Sequence, residues 1–183
     1  SSAASDVYKR QDRTTGKGIV VAVIDTGITA HPDLAANVLP GYDFITDPTV
    51  AGDGNGRDNN AADQGDWSAA NACGAGASAS NSSWHGTHVA GIVAAVGNNA
   101  AGVVGTAFNA KLLPLRVLGK CGGYMSDIAD AIVWASGGKV TGVPANPNPA
   151  TVINLSLGGY GSCSTIIGNA ITGAVTRGTA VVV

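Results

Sequence analysis

Residues 18–27 read GIVVAVIDTG, and this stretch decides the fold. From Ile19 to Ile24 the run is apolar without alternation and mostly β-branched. Such a run predicts a strand buried on both faces, as in a parallel sheet. Asp25-Thr26-Gly27 then supplies turn chemistry. Asp25 therefore falls at the C-terminal end of a buried strand, where open parallel α/β sheets build their sites. A carboxylate there either caps the turn or answers a partner that offsets its burial.

The same grammar repeats downstream. Residues 85–96, HGTHVAGIVAAV, predict a helix that is apolar on all sides and hence buried, with Gly91 allowing close packing. Residues 110–119 predict a second strand and 150–159 a third. Between them, 126–136 predict an amphipathic helix with Ser126 as N-cap and Ile128, Ile132 and Trp134 among its apolar residues. A third helix is expected over 166–178, and the closing TAVVV begins a fourth buried strand. This alternation of strand and helix implies a parallel sheet with helices on its faces. Residues 46–83 are polar and lack periodicity, and a loop that long is usually functional or ordered by a ligand.

Composition narrows the function classes. The chain has 183 residues, 45% hydrophobic and 12% charged, which suits one domain with a real core. A net charge of -2 with scattered lysines and arginines argues against nucleic acid as a partner. The Ile19–Ile24 run is far too short to span a bilayer, so no membrane partner is expected. All twelve acidic residues are aspartate, and six of them lie between Asp43 and Asp66. Aspartate suits turns, caps and hard cations, and a surface rich in Asn, Asp, Gly and Ser fits an extracellular protein.

His85 and His88 sit at the mouth of the predicted helix, and His31 is the remaining histidine. An imidazole whose Nδ1–H is held by a carboxylate offers Nε2 as a base. No His-Glu-x-x-His and no third ligand with suitable spacing supports zinc, and no Gly-x-Gly-x-x-Gly follows the first strand. His88 reads as a structural, hydrogen-bonded core residue. Ser83, close to His85, is a minor candidate nucleophile.

Taken together, VAVIDTGITAHPDL, HGTHVAGIVAA and VINLSLGG resemble, in order, three sequence blocks of the subtilisin-like serine proteases. LRVLGKCGGYMSDIADAIVWA resembles that family's substrate-strand loop and following helix, and the resemblance runs from about Gly18 to Val183. It implies a three-layer α/β/α fold with a mainly parallel sheet, truncated at the C-terminus. It implies that Asp25 is the orienting carboxylate and His85 the general base. Gly122 and Gly123 match the loop that pairs with an extended substrate, and Ser156, Leu157 and Gly158 match backbone lining the S1 pocket. Neither a GTSMA-type nucleophile block nor an AAGN-type oxyanion block occurs in the 183 residues. The chain is thus expected to carry two members of an Asp-His-Ser triad and to be inactive by itself.

The resemblance also implies structural calcium, with Asp33 as a ligand and Asn99, Ala101 and Val103 in the loop after the histidine helix. Asp58, Asp63 and Asp66 form a second candidate set on a glycine-rich loop, the alternative being a solvated acidic loop. Cys73 and Cys121 are the preferred disulfide, since both lie in loops beside the expected cleft. Cys163 would then pair outside the chain, and three reduced thiols are the alternative.

The function expected is peptide-bond hydrolysis by a secreted, extracellular serine endopeptidase. Its partners are protein or peptide substrates and a pro-segment in the precursor, and it is a monomer when complete. The rival is a non-catalytic pseudoprotease that binds extended peptides. Residues 1–11 are expected to be a non-native, adapter-derived leader, and 12–183 an incomplete catalytic domain.

Overall fold

The computed structural model describes residues 9, 11–159, 161–162 and 164–183. Most of the expected leader and Cys163 lie outside the described residues. Gln11 is described, and its side-chain amide donates to Gly105 O at 3.0 Å.

Five parallel strands form one sheet in the order β2-β3-β1-β4-β5. They are β1 (Val20–Asp25), β2 (Tyr42–Asp43), β3 (Lys111–Arg116), β4 (Val152–Asn154) and β5 (Ala180–Val182). The unalternating run of the first stretch becomes the central strand, with β3 on one side and β4 on the other. Its odd and even residues serve two different cores. Ala22 and Ile24 join Leu113, Leu115 and Ile153 beneath helices α3 (Met125–Ala135) and α4 (Thr165–Thr176). Val21 and Val23 join Leu112 beneath helix α2 (His85–Ala94), through Val89, Ala90 and Ala94. Two helices on one face and one on the other make three layers, which is why β1 is apolar without alternation from Val20 to Ile24.

A four-residue helix, α1 (Pro48–Ala51), breaks the long polar segment. Pro48 fits its first turn, Asp47 caps it by accepting from Thr49 N at 2.8 Å, and Gly52 ends it at φ +72°.

Several expectations need correction. α2 is not buried all round: only Gly86, Val89, Ala90 and Ala94 are buried, and Ile92 is 56% exposed. Gly91 makes no close approach, whereas a Cβ on Gly86 would collide with Gly27 O. α3 begins at Met125 with Tyr124 as N-cap and no side-chain cap bond, so Ser126 is not the cap. Asp127, in the first turn, is instead drawn to Thr46 by two hydrogen bonds. The third strand is confined to Val152–Asn154. The fourth strand is the last of the sheet among the described residues, and Val182 there is 54% exposed.

Candidate active site

Asp25 is the last residue of β1 and is fully buried. Its oxygens accept from Thr26 N at 2.7 Å and lie 2.9 Å each from His85 Nδ1. A carboxylate can only accept, so Nδ1 is the donor, and in the neutral ring this leaves the lone pair on Nε2. The His85 side chain is 42% exposed, so Nε2 is open to a substrate. A buried anion that fixes the tautomer, behind an accessible ring nitrogen, is the geometry of a general base.

What holds the two residues together is Thr26. Its hydroxyl donates to Asp63 Oδ2 at 2.6 Å and accepts from Gly86 N at 2.9 Å. One buried hydroxyl thus ties the end of β1, the start of α2 and the acidic loop. Two glycines make the approach feasible: a Cβ on Gly27 would fall 2.6 Å from Ala61 O, and one on Gly86 would strike Gly27 O. Thr87 adds a second tie, accepting from Thr29 N at 2.9 Å. Trp84 caps α2 in the left-handed region, φ +52° and ψ +31°. A bulky residue is held there at a cost of about 1–2 kcal/mol, and the turn makes His85 the first residue of the helix.

Gly122 and Gly123 lie in a tight turn after β3, where Gly119 and Gly122 exchange backbone bonds of 2.9 and 3.1 Å. Ser156–Gly158 follow β4, and the strand pairing ends at Asn154. β1 lies between β3 and β4, so these two segments leave the sheet on either side of Asp25. Ser156 and Gly158 are exposed, and Leu157 packs on the core. Cys73 and Cys121 form a disulfide with Cα atoms 5.3 Å apart, tethering the turn to the polar segment.

The candidate cation ligands divide into two cases. Asp33 is buried and faces the loop after α2. Asn99 Nδ2 donates to its Oδ1 at 2.5 Å and Val103 N to its Oδ2 at 2.9 Å. These bonds hold the Asp33 carboxyl below the usual carboxylate range, the Asn99 amide contributing most. A Cβ on Gly102 would collide with the same carboxylate, so the loop wraps closely around it. Asp58, Asp63 and Asp66 do not converge. Asp58 accepts from Asn55 and Asn60, Asp63 from Thr26 and Gly65, and Asp66 from Ser83. Asp58 and Asp63 each cap a local turn and Asp66 holds Ser83, and among the described residues no group of three His, Cys or acidic side chains is placed to hold a metal ion.

Two further readings are corrected. Ser83 gives its hydroxyl proton to Asp66 at 2.8 Å and accepts from His85 backbone N at 3.3 Å, so it does not serve the imidazole. His88 is exposed and, with His31 and Ile92, lines an open groove of about 750 Å³. The inward face of α2 is taken by Val89 and Ala90, which turns His88 outward. Thr26, Gly86, Trp84 and the supporting role of Asp63 were missed. The signal for the first two was their position beside Asp25 and His85.

Comparison with known proteins follows this geometry. The model of the subtilase family, Peptidase S8, matches residues 16–183. An extracellular protease of Xanthomonas campestris pv. campestris is 69% identical over 183 residues, covering 100% of this chain and 32% of the relative. An extracellular basic protease of Dichelobacter nodosus is 56% identical over 154 residues, covering 82% of this chain and 26% of the relative. Among solved structures, a protease of Pseudoalteromonas arctica superposes with a TM-score of 0.92 at 64% identity, over 94% of this chain and 50% of that one. Fervidolysin of Fervidobacterium pennivorans superposes with a TM-score of 0.63 at 29% identity, over 93% and 22%. The chain spans about a third or less of these two curated relatives.

Proposed function

The chain belongs to the subtilase family, and on that premise we propose that it forms the Asp-His half of a secreted serine endopeptidase. The observation that carries this reading is the buried Asp25 carboxylate bonded at 2.9 Å to Nδ1 of a half-exposed His85. In the proposed reaction a serine contributed by the rest of the protein attacks the peptide carbonyl. His85 Nε2 takes the serine proton and later returns it to the leaving amine. Asp25 keeps the ring in the productive tautomer and stabilises the imidazolium. The turn at Gly122–Gly123 and the segment Ser156–Gly158 receive an extended peptide as an added strand. Their position on either side of Asp25 supports this role. By itself the 183-residue chain is expected to hydrolyse nothing, because the nucleophile and oxyanion blocks lie outside it. Proteins or peptides are its substrates, a pro-segment accompanies the precursor, and the complete enzyme works as a monomer. Relatives named as extracellular proteases support secretion.

Calcium belongs to the same proposal. The residues that would hold it are Asp33, the Asn99 side chain turned to present its oxygen, and the carbonyls of Ala101 and Val103. All are oxygen donors, as a hard cation requires, and the loop already folds onto Asp33. Bound there, the ion would stabilise the fold and take no part in the chemistry.

The test is to read the coding sequence past Val183. An asparagine-bearing block followed by a GTSMA-type block supports the enzyme. A continuation without a serine block overturns it and leaves the pseudoprotease, which would bind extended peptides without cleaving them.

A further inference from the structure

A second buried charge lies in the sheet beside Asp25. Arg116 closes β3 in register with Asp25 and is fully buried. Its Nη1 donates to Asp43 Oδ2 at 2.6 Å and Asp53 Oδ2 at 3.1 Å, and its Nη2 donates to Ala51 O. Its Nε has no acceptor among the described residues. Such a group is a poor stabiliser, because desolvating a buried ion pair offsets most of its attraction and an orphan donor costs about 1–3 kcal/mol more. What arginine supplies here is reach. One guanidinium pins the end of β2, the last carbonyl of α1 and the residue that follows the α1 cap.

α1 in turn supports the turn after β3 from below. Lys120 N donates to Val50 O at 3.0 Å. Tyr124 Oη donates to Asp47 Oδ2 at 3.3 Å. Gly119 lies so close to Val50 O that any Cβ would collide with it. The contacts therefore run without a gap from Arg116 through α1 to residues 119–124.

We propose that Arg116 is a positioning residue: through α1 it sets the Gly122–Gly123 edge, and so governs affinity for extended peptides but not the rate of bond cleavage. This rests on the reading of Gly122–Gly123 as the substrate edge.

The experiment uses the full reading frame that carries this chain. A single-residue ester and peptides lengthened stepwise on either side of the scissile bond are compared in wild type, Arg116→Lys and Asp53→Asn. Lysine keeps the charge but cannot reach three acceptors. Asp53→Asn keeps the shape of the side chain and removes the charge that meets Arg116 Nη1 at 3.1 Å; circular dichroism and the ester kcat report whether each variant is folded. In wild type, kcat/KM is expected to rise with peptide length. In both variants the KM for long peptides should rise by about 10-fold, as for the loss of one hydrogen bond to the substrate backbone, while kcat for the ester stays at the wild-type value. Variants that keep the wild-type gain with length, or lose ester kcat in proportion, overturn the positioning role. A wild type whose kcat/KM is flat with length overturns instead the reading of Gly122–Gly123 as the edge.

Discussion

Replacing Thr26 by valine keeps the shape of the side chain and removes its hydroxyl. Thr26 is 3% exposed, so water does not reach the groups it leaves behind. The Gly86 N–H loses its acceptor at 2.9 Å, and a buried donor left unpaired costs about 1–3 kcal/mol. Asp63 keeps Gly65 N but loses the hydroxyl at 2.6 Å, and a hydrogen bond to a charged group contributes about 1.5–3 kcal/mol. Together these predict a loss of about 2.5–6 kcal/mol, a large part of a typical stability of about 5–15 kcal/mol. The N-terminus of α2 also loosens, and His85 is the residue before Gly86. A shift of the imidazole by about 1 Å would lower kcat by about 100-fold. The assay is guanidinium unfolding of the complete protein with a serine-protease inhibitor present, together with kcat on a peptide amide. Thr26→Ser, which keeps the hydroxyl, should recover most of both losses. A Thr26→Val protein within about 1 kcal/mol of wild type and with unchanged kcat would refute the reasoning.

Three other substitutions probe separate parts of the site. Asp25→Asn removes the acceptor that fixes the His85 tautomer and should lower kcat by on the order of 10⁴-fold without unfolding the protein, checked by steady-state kinetics and circular dichroism. Asp43 is pushed up to about 6 by burial, against the lowering effects of Ile45 N–H and Arg116. Its folded value therefore lies above the unfolded 3.8, so folding takes up a proton between the two. The group costs stability above pH about 6, and that cost is relieved as pH falls toward 4. Wild type minus Asp43→Asn should thus gain up to about 3 kcal/mol of unfolding free energy from pH 7 to pH 4, measured by denaturant titration at each pH. Chelating calcium should lower the unfolding midpoint, by the equivalent of about 3 kcal/mol if the ion was at 100 times its Kd. Asp33→Ala should abolish that response, and a midpoint insensitive to chelator in wild type would remove the ion from the account.

The sequence made the fold legible where burial was two-sided. Ile19–Ile24 read as a strand buried on both faces, and the alternation of the following elements implied a parallel sheet. The site was legible through motifs, since nothing in the spacing of Asp25 and His85 places them 2.9 Å apart. What escaped reading was three-dimensional. His88 seemed internal because its neighbours are apolar, but one face of α2 packs on the sheet and His88 is off that face. Asp63 read as a cation ligand by composition, and is instead the acceptor for a hydroxyl 37 residues earlier. Arg116 sat unnoticed within an apolar run because its three partners come from a segment without periodicity. Ser126 resembled a cap, but the chain enters α3 from a glycine turn that makes Tyr124 the capping position.

The measurement that tests the central claim most directly is hydrolysis of a peptide amide by the full reading frame, wild type against His85→Ala. The account predicts cleavage by the wild type and a loss on the order of 10⁶-fold in the variant, with the fold intact. A His85→Ala protein that cleaves at the wild-type rate would contradict it, and the Asp25–His85 pair would then be architecture, not chemistry.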